Sequence, residues 1–400
     1  MPQTPYIFNQ LISYIPKDIF DRLVKKYNGN KFIKEYTCWN HLLVMIWAQL
    51  TSRQSLRDIE SSIRAHYDKT YRMGIGRTIS RNNIAYANAH RDVAIYRELA
   101  QQMMLKTSKI KAKEDVLKMI GDAFGLTGFF AIDSSTISLN LDRYPWSVPQ
   151  KEWGGIKLHT MFDLLRCAPR ICMITGHEER DQTFMDDYPY ETNSMYMFDK
   201  MYFNTTSLYH IHSCQAYFVT RIKDNVCYKV IDDRPTAGIH VIKDLSVKFT
   251  SRWASKGYPE SLRLIFFYSE EKNAVIKFIT NNFDLDAATI ALLYRYRWQI
   301  ELFFKWIKQH LRITAFFGTS GNAVMTQVYI AYITFCCLAL ASDEIGFKGS
   351  LYDFSNIMSV TLTEKTLMQE LMTRYNREET KYERHNIPSL FDFDNLLDKV

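Results

Sequence analysis

The spacing of apolar residues changes twice along this 400-residue chain, and these changes constrain the fold more than any other feature. Up to about residue 120 the apolar residues recur at helical spacing, as in segments 39–47 and 55–63. From Gly121 to about residue 280 they gather in short runs of strand length, and from Leu285 onward the helical spacing returns. This order predicts an α/β protein with helical N- and C-terminal regions on either side of a sheet.

Five short runs in the middle of the chain predict the strands of that sheet. They are 129–133, 156–162, 170–175, 195–199 and 216–220. The second run alternates apolar and polar residues, as a half-buried strand does, and the first and fourth runs end on an aspartate. Further β-branched and aromatic runs between about residues 224 and 280 predict a β-rich insertion.

Charge divides the chain into three regions. Residues 1–125 carry 20 Lys and Arg against 11 Asp and Glu, whereas residues 343–400 carry 7 against 11. We therefore expect a basic, helical, DNA-binding region over 1–120, a catalytic domain over 121–342 and an acidic helical region over 343–400. The alternative for the first region is a solvated basic surface without a partner, and the third region either supplies a dimer contact or packs on the core.

Composition narrows the class of protein. Apolar residues make up 47% of the chain and charged residues 23%, which excludes disorder and a coiled-coil rod as the main description. The longest nearly apolar run, 328–341, is shorter than the roughly 20 residues that a membrane span needs, so it predicts a buried helix and no membrane partner. The seven cysteines are irregularly spaced and form no C-x-x-C pair, and no signal peptide is evident, so we expect a reduced, cytoplasmic protein without a zinc cluster.

A short helix in the basic region is a candidate for contact with DNA. Ser80 is a suitable N-cap for a helix that begins at Arg81. The candidate residues are Arg81, Asn82, Asn83 and Arg91, and Arg and Asn are well shaped to bind base edges. About 15 residues separate this helix from the preceding one, too many for a compact helix-turn-helix, so phosphate contact or a structural role stays open.

The segment from about residue 287 to 311 predicts one long helix with an ordered polar stripe. At 100° per residue, the stripe falls within about 60° and consists of Tyr294, Arg297, Glu301 and Lys308. An amphipathic surface helix with an Arg297–Glu301 salt pair is the alternative, although it explains only part of the alignment. Trp298 lies about 40° off the stripe, where it would pack or stack on a base.

Three carboxylates in distant parts of the chain suggest metal chemistry. Asp133 and Asp199 follow short apolar strands, and Glu301 lies in the polar stripe. Carboxylates so placed bind Mg²⁺, and two such ions can activate water and stabilise a leaving oxygen during phosphodiester cleavage. Each aspartate taken alone has a simpler alternative, which is to cap a turn at the end of a strand.

These residues carry a family resemblance. The spacing Y-(2)-R-(3)-E-(6)-K from Tyr294 to Lys308 resembles the signature of the IS4-family insertion-sequence transposases, which are DDE-type enzymes. AIDSSTISL and GGIKLHTMFDL resemble the segments at and after the first catalytic aspartate of that family. MFDKMYF and YFVTRIKDN resemble the region of the second, and GTSGNAVMTQV the segment after the glutamate. The resemblance extends in order over about residues 125–340.

The resemblance implies a fold and an active site. The fold is an RNase H-like mixed five-stranded sheet flanked by helices, with the β-rich insertion between the second aspartate and the glutamate. The implied catalytic and metal-binding residues are Asp133, Asp199 and Glu301, with Mg²⁺ as the cofactor and Mn²⁺ as a substitute. The family often has Asp-Arg-Gly-Tyr at the second aspartate, whereas this chain has Asp199-Lys200-Met201-Tyr202. The alternatives for that position are Asp186 and Asp187.

The resemblance also implies an activity. Such a transposase binds the terminal inverted repeats of its element, cleaves the ends by hydrolysis and joins the 3′-hydroxyl ends to target DNA, as a homodimer in the synaptic complex. The expected phosphate contacts are Tyr294, Arg297, Lys308, Lys157 and His159. For His159, a satisfied histidine within the sheet is equally consistent with the sequence. A catalytically silent DNA-binding protein and an RNase H-fold endonuclease without strand transfer remain the alternative functions.

Overall fold

The structure is a computed structural model that describes residues 4–76, 79–147, 154–186, 188–236, 238, 240–270 and 272–379. Within these residues the chain divides into two compact units. The helical unit comprises the described residues of 1–111, 136–156 and 303–391, and the sheet unit comprises those of 112–135 and 157–302.

The described residues form sixteen α-helices and nine strands, numbered in chain order. The helices are α1 (Ile7–Ile12), α2 (Lys17–Lys26), α3 (Cys38–Leu50), α4 (Leu56–Ala65), α5 (Tyr67–Arg72), α6 (Arg81–His90), α7 (Val93–Thr107), α8 (Asp115–Phe124), α9 (Asp181–Asp186), α10 (Thr205–Ser213), α11 (Arg252–Gly257), α12 (Ala287–Tyr296), α13 (Trp298–His310), α14 (Gly321–Ile345), α15 (Leu351–Thr361) and α16 (Met368–Glu379). The strands are β1 (Gly128–Leu139), β2 (Gly154–Asp163), β3 (Ala168–Gly176), β4 (Ser194–Phe198), β5 (Tyr217–Arg221), β6 (Tyr228–Asp233), β7 (Val241–Phe249), β8 (Leu262–Ser269) and β9 (Ala274–Thr280).

Helix α14 is the central helix of the helical unit. It packs against α3, α6 and α7, its N-cap Ser320 accepts a hydrogen bond from the Ala323 N–H, and it ends at Gly346 in the left-handed conformation. By length and composition α14 is apolar enough to cross a membrane, but 94% of its most apolar stretch is buried inside the protein. Residues 328–341 are therefore part of a core helix, as the sequence predicted.

The N-terminal helices agree with the sequence in one place and differ from it in another. Helix α6 begins at Arg81, and its N-cap Ser80 accepts a hydrogen bond from the Asn83 N–H at 3.2 Å, which confirms the predicted start. Helix α5 was not predicted, because its N-cap His66 forms no side-chain capping bond and only Thr70 of the helix is buried. The connection that precedes α6 is therefore shorter than the sequence indicated.

Among the described residues, nine strands form a single mixed sheet in the order β3-β2-β1-β4-β5-β9-β8-β7-β6. Strands β1, β4 and β5 are parallel, and β9 pairs antiparallel with β5, with Val219 opposite Thr280. All five predicted strands are present. The β-rich insertion was predicted apart from a five-stranded sheet, but it continues that sheet, because the free edge of β5 offers backbone groups that β9 pairs with.

Two strands differ from the sequence-based description. Strand β1 does not end at Asp133 but continues in extended form to Leu139, with Asp133 at the point where full burial stops. Strand β2, which lies between β3 and β1, is buried along nearly its whole length rather than on one face, so side chains on both of its faces are covered. The core of the sheet unit is built from aromatic and aliphatic side chains of these strands and of α9 and α10, among them Phe130, Ile132, Phe184, Tyr196, Phe198, Leu208 and Phe218.

Candidate active site

The pairing of parallel strands brings two of the predicted acids together. In the register of the sheet, Ile132 lies opposite Phe198, so the next residues, Asp133 and Asp199, follow at the same level on neighbouring strands. Asp199 also caps the short 3₁₀ turn 200–202, accepting a hydrogen bond from the Met201 N–H at 3.1 Å. Phe198 lies opposite Thr220 of β5 in the same way, which places Arg221 beside Asp199.

The third acid lies just after a break between two helices. The sequence predicted one helix over 287–311, but α12 ends at Tyr296 and α13 begins at Trp298. Around Arg297 the backbone bonds shorten to i→i−3, since the Arg297 N–H donates to the Tyr294 carbonyl and the Ile300 N–H donates to the Arg297 carbonyl, both at 3.2 Å. This local 3₁₀ tightening interrupts the predicted helix and leaves Glu301 in the first turn of α13.

Two arginines form ion pairs with the three carboxylates: Arg297 with Asp133 and Glu301, and Arg221 with Asp199. One guanidinium nitrogen of Arg297 lies 2.7 Å from a Glu301 carboxylate oxygen, and another lies 3.7 Å from an Asp133 oxygen. Arg221 forms an ion pair with Asp199 at 2.7 Å. Within the described part of the chain, no three His, Cys, Asp or Glu side chains form a group that could hold a metal ion. The acids are therefore gathered around guanidinium groups in this arrangement.

Burial and charge give the two aspartates different proton affinities. The pKa of Asp133 is raised from 3.8 to about 6, chiefly by burial and to a smaller extent by the charges of Glu301 and Asp199, against the opposing effects of Arg297 and the Ser134 N–H. Burial also acts to raise the pKa of Asp199. However, hydrogen bonds from Arg221 and Met201 and the charge of Arg221 outweigh that effect, so this pKa is lowered. Of the two aspartates, Asp133 is thus the one whose ionisation an additional cation would favour more.

Tyr294 and Arg221 complete this cluster, and the sequence missed the second of them. The Tyr294 ring packs at 4.9 Å from Phe278, and the Arg297 guanidinium lies 5.5 Å from the Tyr294 ring centre. Burial raises the pKa of Tyr294 against the opposing charges of Arg297 and Arg221, so the phenol keeps its proton and can donate it in a hydrogen bond. Arg221 could have been found by the signal that marked the aspartates, because it too ends a short apolar strand.

Lys157 and His159 of β2 both face Asp181. The Lys157 ammonium lies 3.1 Å from the Asp181 carboxylate and donates to the Glu179 carbonyl at 2.7 Å. His159 is buried, its Nε2 lies 2.9 Å from the Thr175 hydroxyl, and burial lowers its pKa to about 4. His159 is therefore a neutral histidine within the sheet in this structure, which is one of the two roles that the sequence left open.

The surroundings of Lys308 and Trp298 in the structure differ from those that the sequence predicted. Lys308 belongs to the helical unit, where its ammonium donates to the Thr136 carbonyl at 2.9 Å and burial lowers its pKa. Trp298 is 47% exposed, so packing does not account for this side chain. Asp186 accepts a hydrogen bond from the Ser207 hydroxyl at 2.7 Å, and Asp187, the other alternative to Asp199, lies outside the described residues.

Three of the four candidate DNA contacts lie on α6 and are exposed to solvent, whereas the fourth, Arg91, directly follows the helix. Arg81, Asn82 and Asn83 are exposed in its first turn. Arg91 corrects the prediction, because it is buried and its guanidinium donates to the backbone carbonyls of Tyr36 and Thr37. These bonds compensate the buried charge and leave Arg91 a structural role.

Two family models match the chain. Residues 125–338 match a model described as a transposase DDE domain, which covers more than half of the chain and spans Asp133, Asp199 and Glu301. Residues 3–76 match a model described as a domain of unknown function, DUF4372.

The chain is also similar to individual proteins. The putative transposase y4zB of Sinorhizobium fredii (strain NBRC 101917 / NGR234) is 32% identical over 287 residues, which is 70% of this chain and 77% of that protein. A putative transposase for insertion sequence element IS4SA of Synechocystis sp. (strain ATCC 27184 / PCC 6803 / Kazusa) is 23% identical over 80% of this chain and 88% of its own. A cryo-EM structure of the piggyBac transposase synaptic complex with hairpin DNA aligns with 98% of this chain and 83% of its own at a TM-score of 0.44 and 12% identity. On the family match and the first relative, the chain belongs to the DDE transposases of insertion sequences, enzymes of DNA strand cleavage and transfer, as the resemblance to the IS4 family predicted.

Proposed function

We propose that this transposase binds the terminal inverted repeats of its own element, hydrolyses a phosphodiester at each end and joins the freed 3′-hydroxyl groups to target DNA. The observation that carries the proposal is the convergence of three acids. Asp133 and Asp199 occupy register-matched positions after paired stretches of β1 and β4, and Arg297 contacts both Asp133 and Glu301.

The sheet supports an RNase H-like core for this activity. Five strands in the order β3-β2-β1-β4-β5, with β1, β4 and β5 parallel, make up one side of the sheet. Strands β6 to β9 all fall between Asp199 and Glu301 in the sequence, where the insertion of the IS4 family is expected. An arrangement of this kind holds the two aspartates on rigid neighbouring strands and supplies the glutamate from a helix.

The acids have the chemistry of a divalent-metal site. Transposases with this domain generally use divalent metal ions, and oxygen ligands of this type suit Mg²⁺, with Mn²⁺ as a substitute. The neighbouring charges that raise the pKa of Asp133 and the two guanidinium groups among the acids both indicate a site that needs positive charge. Asp133, Asp199 and Glu301 would hold the ions, which supply activation of water and stabilisation of the leaving oxygen.

The cationic side chains have a second role in this proposal. Arg297 and Arg221 now compensate carboxylates, and they transfer their hydrogen bonds to the DNA backbone when that backbone enters the site, with Tyr294 donating one more. Lys308 contacts phosphates from the helical unit. Lys157 and His159 were predicted to do the same, and both lie beside the Asp181 carboxylate in the structure.

The two terminal regions of the chain bear on recognition and assembly. The basic region 1–120 binds the terminal repeats, and the exposed side chains of Arg81, Asn82 and Asn83 lie on its candidate reading helix. Synapsis requires two ends to be held together, so the active form is a homodimer. In the acidic region 343–400, helices α15 and α16 pack on α14, which supports the alternative that this region packs on the core.

Replacement of Glu301 tests the proposal. The parent chain and Glu301→Gln are incubated with Mg²⁺ and a duplex that carries the element's end, read from the DNA flanking the coding region. The parent should cleave at the end, whereas the variant should bind the duplex with unchanged affinity but cleave below detection, because the amide cannot replace an ionised ligand. Glu260→Gln, an exposed glutamate of the same unit, is the matched control.

Pre-cleaved ends distinguish the proposal from its alternatives. The parent should join such ends to a target plasmid. A parent that cleaves but does not join would be an endonuclease, and a parent that binds the repeats but neither cleaves nor joins would be a silent DNA-binding protein. Full cleavage by Glu301→Gln would contradict the assignment of the three acids.

A further inference from the structure

A fourth acidic residue, Asp181, lies at the centre of a polar cluster next to Asp133. Asp181 is the first residue of α9, and one of its carboxylate oxygens meets three side chains of the sheet. The Ser134 hydroxyl donates to this oxygen at 2.7 Å, the Lys157 ammonium lies at 3.1 Å, and Nδ1 of His159 lies at 3.8 Å. None of the reactions proposed for the three acids uses Asp181.

Ser134 joins this cluster to the first proposed metal ligand. Its backbone N–H donates to the Asp133 carboxylate at 2.8 Å, and its hydroxyl donates to Asp181. A single residue therefore contacts both acids with two different donors. The bond to Asp181 restrains the Ser134 side chain, and the same residue donates its backbone N–H to the Asp133 carboxylate.

The partners of Asp181 fix it firmly. The side chains of Lys157 and Asp181 are only 13% and 23% exposed, so solvent screens their ion pair less than a surface pair. Lys157 also donates to the Glu179 carbonyl, two residues before α9 begins. The ring of His159 stacks on Phe184 of α9 with centres 5.2 Å apart. Polar and aromatic contacts thus hold the start of α9 against β2.

We infer that Asp181 is a positioning residue for Asp133, acting through the Ser134 hydroxyl, with Lys157 and His159 as its support. The inference rests on the proposed function, since it concerns how one proposed metal ligand is oriented. Lys157 balances the charge of Asp181, so the effect on Asp133 is one of geometry. Groups that orient metal ligands typically contribute about 10- to 100-fold in metal affinity or activity.

Asp181→Asn and Ser134→Ala test the inference through three measurements: the cleavage rate, its dependence on Mg²⁺ concentration and the affinity for DNA. Both variants should cleave about 10- to 100-fold more slowly at saturating DNA, with half-maximal rates at higher Mg²⁺ concentration and an unchanged dissociation constant for DNA. Glu191→Gln is the matched control, because it removes a carboxylate that pairs with Arg170 at 3.1 Å in the same unit. Wild-type rate and Mg²⁺ dependence in both variants would overturn the inference.

A double-mutant cycle shows whether Asp181 and Ser134 affect the cleavage rate through the same contact or independently. If Asp181 acts through the Ser134 hydroxyl, the double variant should be no slower than the slower single variant. Rate losses that multiply would show that the two residues act separately, which contradicts the inference. Ser134→Ala leaves the Lys157–Asp181 pair intact, so it keeps the test valid if Asp181→Asn fails to fold.

Binding of Mn²⁺, followed by the loss of the free-ion electron paramagnetic resonance signal, gives a readout that needs no catalysis. Asp181→Asn and Ser134→Ala should bind Mn²⁺ about tenfold more weakly than the parent or Glu191→Gln. If the parent binds Mn²⁺ but neither cleaves nor joins DNA, the proposed function fails while this comparison still tests the role of Asp181. Equal Mn²⁺ affinity in all four proteins would contradict it.

Discussion

The two halves of the nine-stranded sheet are built differently. The inner half, β3-β2-β1-β4-β5, contains strands such as β4 in which every residue is buried, whereas the outermost strand, β6, is exposed along almost its whole length. The outer half has polar anchoring of its own, because Arg263 and Asp244 form an ion pair at 2.6 Å with both side chains only 3% exposed. Arg263 also donates to backbone carbonyls of Asn282 and Leu285.

The difference shows which half of the sheet can hold catalytic side chains in fixed positions. Asp133, Asp199 and Arg221 all follow residues that pair in the buried inner half, where neighbouring strands fix their separation. Acids on exposed strand β6, such as Asp232 and Asp233, have no comparable frame. Close packing around the acids explains both their precise placement and the raised pKa of Asp133.

The largest expected difference between the inner and outer halves of the sheet is in how the free energy of unfolding depends on pH. The pKa of folded Asp133, about 6, lies above its usual 3.8, so between these values the folded state holds a proton that the unfolded state has released. In metal-free buffer the contribution of Asp133 to the stability of the parent therefore falls as pH rises from 4 to 6, by at most about 3 kcal/mol. Asp133→Asn cannot titrate, so its free energy of unfolding in urea should rise relative to the parent over that interval.

Asp233→Asn on exposed strand β6 is the matched control for this measurement. A difference between parent and Asp133→Asn that stays constant from pH 4 to 7 would show that burial does not perturb Asp133. The inner half would then hold its acids in a more solvated setting than the structure indicates.

Removal of the same side chain from each half tests the packing itself. Val219 on β5 is 0% exposed and Val230 on β6 is 45% exposed. Val219→Ala should reduce the free energy of unfolding by about 2–3 kcal/mol through lost burial and a residual cavity, whereas Val230→Ala should change it by less than about 0.5 kcal/mol. Equal losses in urea titrations would mean that β6 is as well packed as β5, and the contrast would not hold.

Salt dependence of DNA binding provides the smallest expected effect. Log affinity falls as log salt concentration rises, and Arg297→Ala should make this fall shallower by about one unit of slope, as expected for one lost phosphate contact. Lys229→Ala, an exposed lysine of β6, should leave the slope unchanged. An unchanged slope for Arg297→Ala would mean that this arginine only pairs with the acids, and a reduced slope for Lys229→Ala would extend the DNA surface to the outer half.

The sequence predicted the elements of the fold better than their connections. Periodicity located the five inner strands, the insertion and the core helix α14, because these signals are local. It did not show that β9 pairs with β5, since pairing between distant strands depends on the edge that the folded sheet leaves free. It also missed the break at Arg297, where i→i−3 bonds replace helical ones without a proline or glycine to mark the change.

In the candidate site, too, the sequence identified individual residues better than the contacts between them. Spacing and strand endings identified Asp133, Asp199, Glu301 and Arg297. In the structure Arg297 forms ion pairs with Asp133 and Glu301, whereas Asp199 pairs with Arg221. The partners of Lys157 and Arg91 could not be predicted, because Asp181 and the carbonyls of Tyr36 and Thr37 lie far from them in sequence. Side chains that were expected to contact phosphates thus proved to have partners within the protein.

The central claim is that three distant acids act together as one divalent-metal site. Calorimetric titration of Mn²⁺ into the parent bound to pre-cleaved end DNA, and into Asp133→Asn, Asp199→Asn and Glu301→Gln in the same complex, tests it most directly. The account predicts that each single variant binds Mn²⁺ at least about tenfold more weakly than the parent, because each removes an ionised oxygen ligand. Parent-like Mn²⁺ binding by all three variants would contradict it.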